Sequence, residues 1–352
     1  MPENLKTQQS SVYALKSDKL NRAVQKLVAD SGASENSDLL TQMIVTALKL
    51  QDEQIDRGDL KILNTSLKEL RWAFRVFRPY RHIHKVSLFG SARTKPNDPV
   101  FKAAKEFSSL MVESGWMIVT GGSSGIMHAG NEGAGRARSF GANIRLPFAQ
   151  AVNPVMQDDR KLIHFKYFFT RKLIFVKESD ALCLFPGGFG TLDEGYESLT
   201  LVQTGKMMPR PIVLFEPKGG TYWRSWLAFL KRSLLAQNMI DRDDLNLFEM
   251  TNSVREARDL IVNFYRIYHS MRFVGDRLVL RLKRPLGTAE LSVLNRSYQD
   301  LLVKGKIESS GPLAAESNDS HTASLPRLIL HFDKKSFGRL KAMIKTINQM
   351  GE

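Results

Sequence analysis

The chain has 352 residues, 43% hydrophobic and 25% charged, with a net charge of +15 and one cysteine. This length suits one large core with appendages or two domains, and the hydrophobic content excludes wholesale disorder. No apolar run approaches the ~18 residues that cross a bilayer, and the polar start Met1–Ser10 has no apolar core of a secretory signal, so a soluble cytoplasmic protein without a membrane partner is expected.

Residues 1–80 read as a helical extension. Leu39-Leu40, Met43-Ile44 and Ala47-Leu48 recur at spacings of three and four behind the capping candidates Ser37-Asp38, and a second amphipathic run spans Leu67 to Phe77 before Pro79. Arg71, Arg75 and Arg78 share one helical face, and Arg81, His82, His84 and Lys85 continue the densest basic cluster. Two readings stay open for it: a solvated face, or a contact with nucleic acid. His82 and His84 have no cysteine or acidic residue at zinc-ligand spacing.

From Lys85 short apolar runs alternate with helical stretches. Strands are expected at Val86–Phe89, Met117–Thr120, Ala142–Leu146, Ala181–Phe185 and Pro211–Phe215. Helices are expected at Val100–Ser114, Ile126–Phe140, Phe168–Lys177, Leu192–Thr204 and Tyr222–Leu235. Such alternation predicts an α/β fold, a doubly wound parallel sheet covered on both faces, with ligands at the carboxyl ends of its strands. Cys183 falls in the apolar run of the fourth strand and reads as a small core residue. After a helix near Val254–His269, the run Arg272–Lys283 alternates like a strand. A helix, a Gly/Ser/Asn-rich stretch with a loop or partly disordered linker around Ser309–Ala323, a strand at Leu328–Phe332 and a last helix from Ser336 follow. The expected divisions are therefore a helical extension (1–80), a nucleotide-binding domain (81–270) and a small α+β appendage (271–352).

Three strands end in glycine turns: Phe89-Gly90-Ser91-Ala92-Arg93, Thr120-Gly121-Gly122-Ser123-Ser124-Gly125-Ile126-Met127, and Pro186-Gly187-Gly188-Phe189-Gly190-Thr191. Glycine lets backbone amides approach a phosphate, and a helix N-terminus adds free N–H groups and a favourable dipole. None of the turns is a Walker loop or a Gly-x-Gly-x-x-Gly fingerprint; three in succession point to a nucleotide site. For Thr191-Leu192-Asp193-Glu194 two readings compete. One is a capping box. In the other, Thr191 bonds to a phosphate and Glu194 is free to reach the sugar. Arg171 and Lys172 sit among the apolar residues of Phe165–Val176, where a charge is costly unless paired or used. Arg171 either has a structural carboxylate or faces the ligand.

Arg171-Lys172 followed by Pro186-Gly-Gly-Phe-Gly-Thr-Leu-Asp-Glu194 resembles the LOG family, the cytokinin riboside 5'-monophosphate phosphoribohydrolases once described as lysine decarboxylases. The flanks Phe89–Arg93, Asn143–Phe148 and Leu199–Lys206 resemble its longer bacterial branch, and the likeness covers roughly Lys85 to Asp259. The resemblance implies a Rossmann-like domain, a homodimer or higher oligomer, and hydrolysis of a nucleoside 5'-monophosphate such as AMP to free base and ribose 5-phosphate, with no cofactor and no metal. It implies that Arg171 and Glu194 are catalytic, that Gly187, Gly188, Gly190 and Thr191 hold the phosphate, and that Gly90, Ser91, Gly121, Gly122, Gly125, Met127 and Lys172 bind the rest of the nucleotide. Ser123 departs from the family's third glycine, and His128 stands where the longer branch has an acidic residue, which would alter charge at the pocket edge. The alternative is a non-catalytic protein that binds a nucleotide, a molybdenum cofactor or single-stranded nucleic acid.

Overall fold

The computed structural model describes residues 14–147, 151–316 and 319–351. Met1–Ser10, Phe148 of the Asn143–Phe148 flank, and residues 317–318 of the Gly/Ser/Asn-rich stretch lie outside it. Two compact units divide the chain, residues 1–68 and 69–352.

The first unit contains α1 (Asp18–Asp30), α2 (Ser37–Asp52) and the start of α3 (Arg57–Phe77). The Ser17 side chain caps α1 by accepting from the Leu20 amide. Leu15, Val24 and Val45 form its small buried cluster.

In the second unit seven parallel strands run in the order β4-β3-β2-β1-β5-β6-β7. They are β1 (Lys85–Phe89), β2 (Met117–Thr120), β3 (Ser139–Ile144), β4 (Leu162–Phe165), β5 (Ala181–Leu184), β6 (Ile212–Phe215) and β7 (Glu249–Thr251). The helices between them are α4 (Pro99–Glu113), α5 (Ile126–Ala134), α6 (Phe168–Glu178), α7 (Phe189–Gln203) and α8 (Tyr222–Phe229), with α9 (Val254–Phe264) after β7. Every residue of β1, β2, β3, β5 and β6 is buried, which is why these strands read as continuous apolar runs. This is a Rossmann-like doubly wound sheet.

The two strands absent from the sequence reading, β4 and β7, are its edges. The first carries the exposed His164 and the second has only three residues, so neither leaves an apolar run. The helix expected over Ile126–Phe140 stops at Ala134, because Gly135 turns the chain with φ +70° and β3 begins at Ser139. Likewise, α9 ends at Phe264.

A four-stranded antiparallel sheet follows, ordered β10-β11-β9-β8. The run Arg272–Lys283, expected as one strand, is a hairpin: β8 (Tyr268–Val274) and β9 (Arg277–Leu282), turning at Gly275 with φ +62°. Then come α10 (Thr288–Ser297), β10 (Leu302–Ser310), β11 (Arg327–Phe332) and α11 (Phe337–Gln349). Where a loose linker was expected, the described residues form two 3-10 turns around Glu316. Its buried carboxylate accepts from Arg281 at 2.7 Å and Arg327 at 3.1 Å. This sheet and α11 share one hydrophobic core with β1, α4 and α9, from Val86 and Phe107 to Ile261, Leu280 and Ile344. Buried Lys341 of α11 donates to Leu247 O and to Glu249 of β7.

Candidate functional site

The winding of the sheet reverses between β1 and β5, and the crevice at such a switch point is where doubly wound folds take ligands. Both strands end there in glycine turns that are tied together. The Phe185 amide donates to Phe89 O at 2.8 Å, and the Ser91 amide donates to Pro186 O at 3.1 Å. The turn after β2 joins them: the Ile126 amide donates to Ser91 O at 3.1 Å, and Gly125, with φ +64°, packs so closely on Ser91 and Ala92 that no Cβ fits. The result is a cavity of about 750 Å³ at the carboxyl ends of β1, β2 and β5.

The turn after β5 leads into α7, and the start of that helix decides between the two readings of Thr191 and Glu194. The N-cap is Gly188, with no side-chain cap, and the helix begins at Phe189, three residues before its expected start. Thr191 is thus inside the first turn and Glu194 in the second, so neither serves as a cap. The Thr191 and Leu192 amides bond back to Gly188 O, whereas the first-turn amides before them have no earlier helical carbonyl to donate to, and Phe189 and Gly190 line the cavity. Gly187 is required by the protein, since a Cβ there would strike the Thr191 hydroxyl and the Ser91 amide. Gly188 and Gly190 differ: a Cβ on either would meet nothing within 4 Å, and both line the cavity.

Glu194 is 5% exposed and lines the cavity. Burial raises its carboxyl to about 7; Lys172 and Arg171 oppose that rise, and Glu197 and Asp193 add to it. Lys172 bridges the acidic face of α7, 2.9 Å from Asp193 and 2.7 Å from Glu197, and stands 3.8 Å from Glu194. Arg171 lies deeper. Its Nε donates to Ala142 O at 2.8 Å, and its guanidinium packs over the Phe175 ring at 5.0 Å. Gly121 makes room for it: a Cβ there would come within 2.8 Å of Arg171 Nη2. Among the described residues no carboxylate lies within 4.0 Å of Arg171. Burial lowers its proton affinity, partly offset by Glu194 and then Asp193. The site therefore holds a near-neutral carboxyl, a guanidinium with unspent donors and a helix start open to an anion.

Residues 122–261 match the family model described as "Possible lysine decarboxylase". Over that span, from the second glycine turn to α9, the chain is similar to this family. Among curated protein sequences no significant match is found. A molybdenum cofactor binding protein from the phototrophic bacterium Rippkaea orientalis is 21% identical, covering 51% of this chain and 94% of its own, with a TM-score of 0.37. The molybdenum cofactor carrier protein of Chlamydomonas reinhardtii is 21% identical over 50% and 93%, with a TM-score of 0.35. DNA processing protein A of Helicobacter pylori, described with a single-stranded DNA binding mode, is 14% identical over 50% and 79%, with a TM-score of 0.34. These likenesses carry no argument about ligand or activity.

Of the residues that the LOG resemblance singled out, Gly90, Ser91, Gly121, Met127, Arg171, Gly187, Gly188, Gly190, Thr191 and Glu194 line the cavity. Gly122, Gly125 and Lys172 do not: the first two shape the turn with φ +69° and +64°, and Lys172 braces Glu194 from behind. Ser123, the LOG-pattern departure, has no positive φ, and its hydroxyl donates to Ala151 O at 3.0 Å. His128 does not stand at the pocket edge as expected. It packs edge-on to Phe101 of α4 at 5.7 Å, 4.0 Å from Glu132, and is not among the residues that line the cavity. Sequence reasoning missed Tyr222, at the start of α8, whose hydroxyl donates to Gly187 O at 2.6 Å and which lines the cavity. It also missed Asn143, whose side-chain amide holds Gly121 O at 3.1 Å. Neither belongs to a glycine turn, so only the fold brings them in.

Proposed function

We propose that this protein is a nucleoside 5'-monophosphate phosphoribohydrolase. The observation that carries the reading is Glu194: a buried carboxyl held near neutrality in a cavity that begins at a phosphate-ready helix start, and free of any capping task. In this reading the 5'-phosphate sits on the first-turn amides of α7 and the Thr191 hydroxyl, with Gly188 and Gly190 allowing its approach. The ribose then lies over Glu194. As the bond between C1' and the base nitrogen breaks, its electrons leave with the base and positive charge develops on the sugar, which the Glu194 carboxylate stabilises. Water adds to C1' and its hydroxyl stays on the sugar; its proton passes to Glu194 and from there to solvent, and the base nitrogen takes one proton from solvent as it leaves. A group titrating near 7 is suited to such a transfer at neutral pH. Arg171, backed by Ala142 O and Phe175, offers its remaining N–H groups to substrate oxygens.

The exposed Phe168, Phe169 and Leu173 on α6 suit the homodimer that the resemblance implies, and a nucleotide substrate suits a cytoplasmic location. The purified protein given AMP, GMP, CMP and IMP separately is expected to release free base from at least one, with release abolished in Glu194→Ala and in Arg171→Ala. Wild-type turnover in Glu194→Ala would remove that residue from the chemistry. Nucleotide binding without release from any of the four would favour a carrier instead.

A further inference from the structure

The basic cluster around Arg81–Lys85 takes no part in the cavity described above. His84 lies just before β1 and Asp180 just before β5, so this end of the parallel sheet is opposite the glycine turns. A second cavity of about 530 Å³ opens there, toward β8 and the 3-10 turn at Ser320–Thr322. Arg81, His82, His84, Arg210, His269 and His321 all line it, and Asp180 is the only carboxylate among its lining residues. Four distant chain segments supply these groups, so the cluster is no mere local run of charge.

The charges are not balanced by the protein. Elsewhere in this unit Arg281 and Arg327 share Glu316, Arg284 has Glu290, and Arg339 has Asp300. At this cavity His84 pairs with Asp180 at 3.3 Å, and the same carboxylate also accepts from the Lys85 amide at 2.8 Å. Among the described residues Arg81, His82, Arg210, His269 and His321 have no carboxylate within 4.0 Å. Arg210 is anchored through Nη1, which donates to Val176 O and Ser179 O, and this leaves the Nε–Nη2 edge unspent. That edge is the fork that grips two oxygens of one anion. His84 is fixed between the rings of Trp116 and Tyr265, each at 4.9 Å, and the His82 and His321 rings stand 6.1 Å apart. The surrounding potential is positive: beyond burial, Lys283, Arg281 and His84 hold His269 below the ordinary imidazole range, with Asp319 opposing.

We propose that this cavity is a second ligand site, for a small phosphate-bearing anion, at the end of the sheet opposite the nucleotide cavity. Its volume falls in the range of small-molecule sites and not of an open groove for a polymer. The inference does not depend on the hydrolase reading.

The chain has seven histidines, which makes imidazole NMR the direct assay: four line this cavity, while His128, His164 and His331 do not. Inorganic pyrophosphate is titrated into the full chain, with ionic strength held by chloride. The expected result is saturable shifts of the His82, His84, His269 and His321 resonances together, with those of His164 and His331 unmoved. A His82→Gln/His321→Gln double variant, altered only at exposed rings, is expected to bind pyrophosphate here about tenfold more weakly or worse. Four outcomes would overturn the proposal: no saturable shift, the same shifts with chloride alone, undiminished binding by the double variant, or shifts with a single-stranded oligonucleotide and none with pyrophosphate.

Discussion

Glu194→Gln separates the two things that a buried carboxyl does, because the change keeps its size and removes its titration. Burial holds the Glu194 carboxyl at about 7 in the folded protein against an ordinary 4.5. Since the folded value is the higher, folding favours the protonated form. The stability that it contributes is fully present below about 4.5 and is lost as pH rises through about 7. Above that, wild type bears the whole cost of a charged carboxylate in this pocket, about 3 kcal/mol from the distance between the two values. Lys172 and Arg171 are already included in that balance, as the groups keeping the value from going higher. The neutral amide of the variant bears no such cost. Urea unfolding of both proteins from pH 4.5 to 8.5 is therefore expected to give equal stabilities at the acid end. The variant should be more stable by up to about 3 kcal/mol at the alkaline end, the gap opening steadily from about pH 4.5, where the unfolded carboxyl ionises, and levelling off just above about pH 7. Titrating groups that do not touch Glu194 are common to both proteins and cancel. A difference that stays constant with pH would show an ordinary carboxyl at 194 and remove the physical basis for its role as base.

Gly188→Ala and Gly187→Ala are expected to part ways. The first should leave thermal stability unchanged or slightly raised, because its Cβ meets no protein atom, while weakening AMP binding at least tenfold; calorimetry on both counts checks this. The second should lower stability, because its Cβ runs into Thr191 and Ser91. Tyr222→Phe removes the bond to Gly187 O and should cost about 1 kcal/mol, read in urea unfolding, and raise KM more than it lowers kcat. Glu316→Gln leaves Arg281 and Arg327 buried without their shared carboxylate and should cost about 3–5 kcal/mol in the same measurement.

What could be read from the chain beforehand follows from where periodicity and local chemistry speak. The central strands announce themselves because Val86–Phe89 or Ala181–Leu184 are buried on both faces and must be apolar throughout. Leu162–Phe165 does not, because its His164 faces solvent at the sheet edge. The three glycine turns were legible as turns, but not which glycines serve the ligand: Gly125 and Gly187 are demanded by backbone packing, Gly188 and Gly190 by nothing in the protein. Thr191-x-x-Glu194 fits a capping box in sequence, and only the helix start at Phe189 shows both side chains released from capping. Tyr222, and the meeting of Arg81–His84 with Arg210, His269 and His321, depend on contacts across the fold that no local pattern encodes.

If a phosphate seat and the Glu194 carboxyl act together on one N-glycosidic bond, a nucleotide is cleaved and its nucleoside is not. AMP and adenosine incubated separately with the wild-type protein, with adenine and ribose 5-phosphate both quantified, test it most directly. Equal amounts of the two products are expected from AMP, no adenine from adenosine, and loss of at least about a hundredfold in rate for Glu194→Gln. Cleavage of adenosine as fast as AMP would contradict the phosphate seat, and undiminished cleavage of AMP by Glu194→Gln would contradict the rest.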